Sequence, residues 1–394
     1  MKYELQEVIS EVQKQQFLDL ARYIYKDDPH WVCPLDVEIE SIFDPQKNTF
    51  FEHGCAKRWI LIRSADKKVV GRVAAFINYK KVHQNGLKVG GMGFFECIND
   101  LEAAYTLFDA CQSWLREQGM EAMDGPINFG ENDMWWGLLV EGFTHPAYGM
   151  NYHLPYYKDL FETYGFQVFY SQVSKHLDIT RPLPERWQKI LQRVTHNPRV
   201  KFESIQLKNI EKYIQDFVTI YNDAWQFHEN FTPVTTEQIR KTFQKLKPII
   251  EPVMIWFAYV DNNPAGFIVC IPDINQILKK FNGKFGWWQK LQFIYYLKVK
   301  RIMNRGRVTI IGVSTKYQQM GIEVGLSMLP FEPVLKRGYT EIELSWVGDF
   351  NPKMRSVMEA TGAKDGKIHH TYRKLFDMSR PFERSKIIAM NTRK

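Results

Sequence analysis

Residues 308–322 read V-T-I-I-G-V-S-T-K-Y-Q-Q-M-G-I, and the rest of the chain can be interpreted around them. The first six residues are mostly apolar or β-branched and predict a buried strand. A polar turn follows, and the sequence after Gly321 is compatible with a helix. The first N–H groups of a helix have no partner within it and carry the positive end of its dipole. A strand that turns into a helix in this way predicts an anion-binding site.

This segment belongs to one half of an internal repeat. Two sets of three residues share separations of 26 and 13 positions: Gly93, Gly119 and Asn132 in the first half, and Gly312, Gly338 and Asn351 in the second. In both halves a predicted strand is followed by a helix, a glycine that ends the helix, a second strand and an asparagine. Three matches in one frame, at an offset of 219 residues, predict a duplicated domain.

The repeat sets the predicted domain boundaries. We expect a first α+β domain over residues 1–183, a linker helix over 184–199, a second domain over 200–376 and a tail over 377–394. The second domain carries a basic, aromatic insert over residues 274–306. In the first domain, Asp100 is the predicted cap of a helix that Gly119 ends.

Composition describes an ordinary globular protein. The 394 residues are 45% hydrophobic and 24% charged, which excludes a disordered chain. The five cysteines are scattered, and no spacing resembles a metal site, so we expect reduced thiols and no bound metal. The beginning of the chain lacks the apolar core of a signal peptide, and no run approaches a membrane span. These features predict a soluble, cytoplasmic protein.

Charge is distributed unevenly between the halves. Residues 1–199 hold 22 Lys and Arg against 26 Asp and Glu, whereas residues 200–394 hold 30 against 18. Residues 274–322 contain ten basic residues and no acidic one. A solvated face is the simplest interpretation of such a run. Because the run adjoins the predicted anion-binding turn, it also favours an anionic ligand.

The second half resembles the GCN5-related N-acetyltransferase (GNAT) superfamily. The family's cofactor turn reads Arg/Gln-x-x-Gly-x-Gly/Ala after a strand, and Gln318-Gln319-Met320-Gly321-Ile322-Glu323 follows the strand at 308–313. Asn351 and Gly362-Ala363 match a later family motif. The whole chain also resembles a bacterial group of double GNAT-like proteins, through segments such as G-P-I-N-F-G-E-N-D and Y-H-L-P-Y-Y-K-D-L-F.

The resemblance implies two tandem GNAT-like domains, each a twisted mixed sheet flanked by helices. It further implies transfer of an acyl group from acetyl-CoA or another acyl-CoA to an amine, on a small molecule or a peptide. The second domain would bind the donor. The implied cofactor-binding residues are Gly312, Val313, Gln318, Gln319, Met320, Gly321, Ile322 and Asn351.

The catalytic candidates lie on the predicted strand at 340–346. Glu341, Glu343 and Ser345 alternate and therefore share one face of the strand. This strand borders the reaction cleft in GNAT-like folds, so Glu343 is the candidate general base and Ser345 a second catalytic candidate. The alternative is a solvent-facing strand with ordinary acids. His369 and His370 are possible proton relays on the final strand, or surface and core-edge histidines.

Three departures from the family pattern bear on catalysis. Glu323 replaces the last motif glycine and puts a carboxylate in the first helical turn. Met358 stands where many relatives carry a tyrosine general acid. Pro330 and Pro333 predict a break in the cofactor helix, with Pro330 able to start a second helix. In the first half, the corresponding helix begins with Asp100 and Glu102, which would repel pyrophosphate.

Several interpretations remain open. The insert is a lid over an acyl chain, a membrane-surface contact, an RNA contact, or a helical cover on the core with its lysines outward. Polar and aromatic residues in loops of the first half suit an acceptor pocket or ordinary turns and caps: Asn128, Asn132, Tyr156 and Tyr157. A catalytically inactive binding module and an aminoacyl-tRNA-dependent transferase are the alternative functions.

Overall fold

The structure is a computed structural model that describes residues 2–84, 86–182, 184–226 and 233–387. The strands are β1 Tyr3–Glu7, β2 Gly54–Arg63, β3 Val69–Asn78, β4 His83–Gln84, β5 Leu87–Cys97, β6 Ala122–Gly125, β7 Leu138–Glu141, β8 Gln167–Asp178, β9 Val200–Ser204, β10 Ile255–Val260, β11 Asn263–Pro272, β12 Arg305–Val313, β13 Glu341–Gly348 and β14 Lys364–Leu375. The helices are α1 Glu11–Ile24, α2 Asp36–Ile42, α3 Leu101–Glu117, α4 Tyr157–Tyr164, α5 Glu185–Thr195, α6 Ile210–Trp225, α7 Thr236–Leu246, α8 Asn275–Leu278, α9 Trp287–Ile294, α10 Ile322–Met328, α11 Phe331–Leu335 and α12 Pro352–Ala360.

One mixed sheet runs through both halves of the described chain. Its strand order is β1-β2-β3-β5-β6-β14-β8-β13-β12-β11-β10-β9, with β4 beside β5 and β7 beside β14. The last strand of each half is thus exchanged: β8 pairs with β13 of the second half, and β14 pairs with β6 of the first. The predicted α+β class is confirmed, and the two halves share backbone hydrogen bonds at the centre of the sheet.

The parallel strands β12 and β13 separate before they end. They pair only from Arg305 opposite Glu341 to Val308 opposite Leu344. Beyond that point β12 continues along β11, while β13 continues along β8. This leaves an opening, here called the wedge, between residues 309–313 of β12 and residues 345–348 of β13.

The equivalent strands of the first half also separate, but the chain itself closes the gap. Strands β5 and β6 pair from Val89 to Gly91. The N–H of Ile127 then donates to the carbonyl of Met92 at 2.9 Å. A Cβ on Gly93 would lie 1.9 Å from the Ile127 carbonyl oxygen, so the closure requires glycine there. Only the second half therefore keeps an open wedge among the described residues.

Local signals predicted the helix ends correctly. Asp100 caps α3 by accepting from the N–H of Ala103 at 3.0 Å, and Gly119 follows the helix with a φ of 77°. The predicted break is also confirmed, since α10 ends at Met328 and Pro330 is the N-cap of α11. Short α2 and β7 were not predicted, because neither has enough residues to show a periodic pattern.

Packing divides the core between the halves. Phe95, Phe108 and Phe161 are fully buried in the first-half core, and Ile322 and Leu326 in the second. Within the described residues, no helix has both the length and the apolar character to cross a bilayer. All five cysteines are free, and four of them are buried.

Candidate functional site

Helix α6 holds the start of the turn that follows β12. A Cβ on Gly312 would lie 2.5 Å from the ring of Trp225, so glycine is needed for this ring to pack against the strand. The carboxylate of Asp223 accepts from the N–H of Thr315 at 2.6 Å and from its hydroxyl at 3.1 Å. These contacts fix the backbone where it leaves β12.

The end of the turn leads directly into α10. Gln319 and Gly321 adopt positive φ values of 70° and 82°, and Gly321 is the N-cap of α10. Ile322 is fully buried and anchors the first turn. The N–H of Val324 donates to the Gly321 carbonyl at 3.1 Å, whereas those of Ile322 and Glu323 have no partner among the described residues. These two N–H groups suit an anion, although the half-buried Glu323 carboxylate opposes one.

The other residues of the predicted cofactor site lie around this turn and after β13. Val313 and Met320 are half-buried, and Gln318 is exposed. The side chain of Asn351 caps α12 by accepting from the N–H of residue 354 at 3.1 Å. Met358 is only 4% exposed, so this position offers no proton donor. The assignment of these residues to a cofactor stays a prediction.

The structure places Glu343 in the interior and not at a solvent-facing surface. Its carboxylate is 1% exposed, with Lys367 Nζ at 3.2 and 3.3 Å and the Ser174 hydroxyl donating at 3.2 Å. Burial alone would raise the pKa of Glu343, but Lys367 and Arg305 together hold it below its usual value. Glu343 is therefore an ionised but weak base. Ser345 is half-buried on the same strand.

Two arginines of β12 bind the first half. Arg305 donates to fully buried Asp273 at 2.6 and 2.9 Å, and Asp273 accepts from the N–H of Tyr148 at 2.9 Å. Arg307 donates to the carbonyls of Tyr148 and Asp133 at 2.6 and 3.2 Å. Residues 132–151, here called the bridging segment, are thereby held against β12.

The bridging segment also reaches the wedge. Trp346 on β13 donates from its indole N–H to the carbonyl of Asn132 at 3.3 Å. The ring of Trp136 lies 6.3 Å from that of Trp346, and Arg307 stacks over Trp136 at 4.7 Å. Asn132, a predicted acceptor-site residue, is thus beside the wedge.

A second polar site lies in the first half, and the sequence analysis missed it. Glu96 and Arg72 are direct neighbours on β5 and β3, are both at least 90% buried, and lie 3.6 Å apart. Glu96 also accepts from the hydroxyls of Tyr25 and Tyr157 at 2.8 and 2.6 Å. Burial raises the pKa of Glu96 despite the opposing effect of Arg72.

This pair lies on the wall of a cavity of about 50 Å³, here called the Glu96 pocket. The rest of its lining is largely aromatic and apolar and includes Trp31, Val32, Phe94, Trp135, Met150 and Tyr152. The available signal was that Arg72 is the one charged residue of β3 and Glu96 the one acidic residue of β5. Of the two tyrosines predicted for an acceptor pocket, Tyr157 donates to Glu96 in this site. Tyr156 donates instead to the Cys97 carbonyl at 2.6 Å.

Burial favours the neutral form of three histidines near the meeting of the two halves. Burial lowers the pKa of His369 to about 4, and its Nε2 lies 3.0 Å from the carbonyl of Asn151. Partial burial and neighbouring Arg305 lower the pKa of His145 to about 4 as well. His370 is half-buried, and burial lowers its pKa.

The side chain of Asn128, a predicted acceptor-site residue, has a buried Oδ1 to which no described residue donates.

These features define the fold. In each half two parallel strands of the shared sheet separate before a helix, and the two halves together form the tandem GNAT fold. A solved tandem GNAT protein from the clavulanic acid biosynthesis pathway superposes with a TM-score of 0.56 and 11% identity, covering 97% of this chain and 100% of that one.

Two proteins are similar over nearly the whole sequence. A bacterial ceramide synthase of Caulobacter vibrioides (strain NA1000 / CB15N) is 29% identical over 374 residues, covering 91% of this chain and 94% of that protein. Protein YghO of Escherichia coli (strain K12) is 28% identical over 369 residues, covering 91% and 92%. No family model matches the chain.

Proposed function

We propose that this protein is an acyl-CoA-dependent N-acyltransferase whose acceptor is a long-chain amine of the sphingoid type. The observation that carries the proposal is the open wedge beside the turn at residues 318–322. The acceptor class is supported by the similar bacterial ceramide synthase, since a ceramide is an N-acylated sphingoid base. Five free thiols are consistent with a reducing compartment, and we propose the cytoplasm.

Acyl-CoA would supply an activated thioester carbonyl together with an anionic pyrophosphate. The backbone of residues 319–323 would hold the pyrophosphate through the N–H groups of Ile322 and Glu323, which have no partner among the described residues, at the positive end of α10. The unpaired edge of β12 at residues 309–313 would direct N–H groups toward the carbonyl oxygen. The basic run at 274–322 would raise the local concentration of the anionic donor.

The amine of the acceptor would enter the Glu96 pocket, where a buried carboxylate attracts an ammonium group. The cavity of about 50 Å³ has room for that group alone, so the alkyl chain would lie outside it. Because its pKa is raised, Glu96 is a stronger base than an exposed glutamate and would take the proton that the amine loses. We therefore propose Glu96 for the base role first assigned to Glu343, whose lowered pKa makes it the weaker base.

The pocket and the wedge share a wall. Met150 lines the pocket and packs in one cluster with Trp136 and Trp346, and Trp346 belongs to the wedge. Methionine side chains change rotamer easily, so Met150 would open a passage between the two sites. Glu343 would act at a distance, as the buried partner of Lys367 that stabilises β13.

The test measures free thiol release and amide formation for pairs of donor and acceptor. Acetyl-CoA and palmitoyl-CoA would be combined with sphinganine and with a short alkylamine, and the products identified by mass spectrometry. We expect the amide from palmitoyl-CoA and sphinganine, and a decrease in rate of at least about a hundredfold in Glu96→Gln. Glu102→Gln, which changes an exposed acid of the same half, is the matched control.

Three outcomes would contradict the proposal. No thiol release with any pair would favour an inactive binding module. Transfer from aminoacyl-tRNA but not from acyl-CoA would favour the alternative donor. Full activity in Glu96→Gln would remove Glu96 from the base role while leaving the acyl transfer itself intact.

A further inference from the structure

The insert of the second half has one face fixed to the core. Its helix α9 continues without interruption as a π-helix, Tyr295–Lys300. Residues 287–300 are here called the docking segment. Phe293 and Leu297 on its inner face are each 7% exposed and pack in the second-half core. The outer face of the segment therefore has a fixed orientation.

That outer face is apolar and exposed. Its large side chains and their exposed fractions are Trp287 (73%), Trp288 (55%), Leu291 (52%), Ile294 (55%), Tyr295 (45%) and Val299 (67%). They follow helical spacing, so they form one continuous surface. Scattered single apolar residues are normal on protein surfaces, whereas a continuous group marks an interaction site. The segment covers the core with its lysines outward, as one sequence interpretation had it, but these large apolar side chains are outward as well.

Basic side chains surround the apolar face. Lys290, Lys298, Lys300 and Arg301 are exposed in or next to the docking segment, as is Lys284. No acidic residue occurs between residues 274 and 322. An aromatic and aliphatic face within a basic border is the composition of helices that lie at the interface of a membrane with anionic lipids.

Two other occupants fit less well. A second copy of the chain would bring the same basic borders together, and like charges oppose such contact. An RNA strand would stack on the tryptophans, but Leu291, Ile294 and Val299 would gain nothing from its phosphates. Hydrocarbon contact accounts for the aliphatic residues, and interfacial positions are preferred by the aromatic ones.

We propose that the docking segment binds the surface of a bilayer containing anionic lipids. The apolar side chains enter the boundary between headgroups and acyl chains, and the lysines contact the lipid phosphates. The residues just before the docking segment contact the first half, where Asp36 of α2 accepts from Lys284 at 3.0 Å and Arg22 of α1 donates to the carbonyl of Asn282 at 3.0 Å. The proposed membrane contact does not depend on the proposed acyl transfer.

The test is co-sedimentation of the full chain with vesicles. Vesicles of phosphatidylcholine alone are compared with vesicles in which about 30% of the lipid is anionic phosphatidylglycerol. We expect binding to the anionic vesicles that weakens in high salt. Trp287→Ser/Trp288→Ser/Leu291→Ser should reduce the partition coefficient by at least about tenfold. Lys290→Gln/Lys298→Gln/Lys300→Gln should reduce it by about a hundredfold, at about fivefold per lysine.

The matched controls change side chains of similar exposure elsewhere. Ile9→Ser/Val12→Ser removes exposed apolar residues of the first half, and Lys189→Gln/Lys241→Gln removes exposed lysines of α5 and α7. Both should bind vesicles like the unchanged chain. Circular dichroism and melting temperature establish that every variant folds.

Four results would overturn the proposal. The first is that the unchanged chain does not sediment with anionic vesicles. The second is that the tryptophan variant binds these vesicles as well as the unchanged chain does. A dimer that becomes monomeric in the tryptophan variant, without vesicle binding by either, would assign the face to a second copy. Salt-sensitive RNA binding that is lost in the lysine variant, again without vesicle binding, would assign it to RNA.

Discussion

Replacing Gly321 with alanine, beside a control glycine elsewhere, tests whether the turn at residues 318–322 binds the pyrophosphate of CoA. Gly321 has a φ of 82°, and a Cβ there would lie 2.9 Å from Cγ2 of Ile190 on α5. At that distance either Ile190 or the turn has to move. Since Ile190 belongs to a helix that packs on α10, part of the adjustment falls on the turn itself.

The expected magnitude has two parts. Alanine in the left-handed region costs about 1–2 kcal/mol of stability. The steric shift displaces the N–H groups of the turn, and losing one hydrogen bond to a charged group costs about 1.5–3 kcal/mol of binding free energy. The lower value corresponds to about a tenfold weaker affinity for CoA.

Gly338→Ala is the matched control, because Gly338 has a φ of 91° and no atom lies within 4 Å of the added Cβ. It should lose similar stability in urea unfolding and keep its affinity for CoA in isothermal titration calorimetry. Ile190→Ala added to Gly321→Ala makes room for the methyl group and should restore part of the affinity. Equal affinity losses in Gly321→Ala and Gly338→Ala would refute a pyrophosphate site at this turn.

Three further substitutions test the charges of the two sites. Glu323→Gln removes a carboxylate from the first turn of α10 and should tighten CoA binding by about two- to fivefold, whereas Glu332→Gln should not. Burial raises the pKa of Glu96 in the folded state. The stability linked to its proton is therefore fully present below the usual value of 4.5 and is lost as the pH rises through the folded pKa. Glu96→Gln should flatten the dependence of the unfolding free energy on pH above 4.5. Lys367→Met leaves the buried Glu343 carboxylate without its main partner and should cost about 3–5 kcal/mol in urea unfolding, and adding Glu343→Leu should recover most of it; a loss below about 1 kcal/mol would contradict the ion pair.

The parts of the fold that depend on neighbouring residues could be predicted from the sequence. The strand before the turn, the cap at Asp100 and the helix break at Pro330 each follow from a few consecutive residues. Their physical causes are local: side-chain hydrogen bonds to free N–H groups and the fixed φ of proline. The positions of these elements were therefore correct to within a few residues.

Long-range pairing could not be predicted in this way. Alternation correctly placed Glu343 on one face of β13, but it cannot tell that Ser174 of β8 and Lys367 of β14 cover that face. Both strands reach β13 only through the exchange between the halves. The pairing of Arg72 with Glu96 is non-local in the same sense, although Arg72 as the one charge of β3 and Glu96 as the one acid of β5 gave a usable signal.

The exchanged strands give the first half a direct role at the wedge. Because β8 pairs with β13 and β14, and β14 also pairs with β6 and β7, separating the halves would break four ladders of backbone hydrogen bonds. The strand that forms one side of the wedge is thus supported by the first half, and the bridging segment is fixed by Arg305 and Arg307 of the second. In the first half, Ile127 closes the equivalent wedge. This half nevertheless supplies the Glu96 pocket and, at Met150, the wall between the pocket and the open wedge. The acceptor side of the proposed reaction therefore depends on a half that has no open donor site of its own.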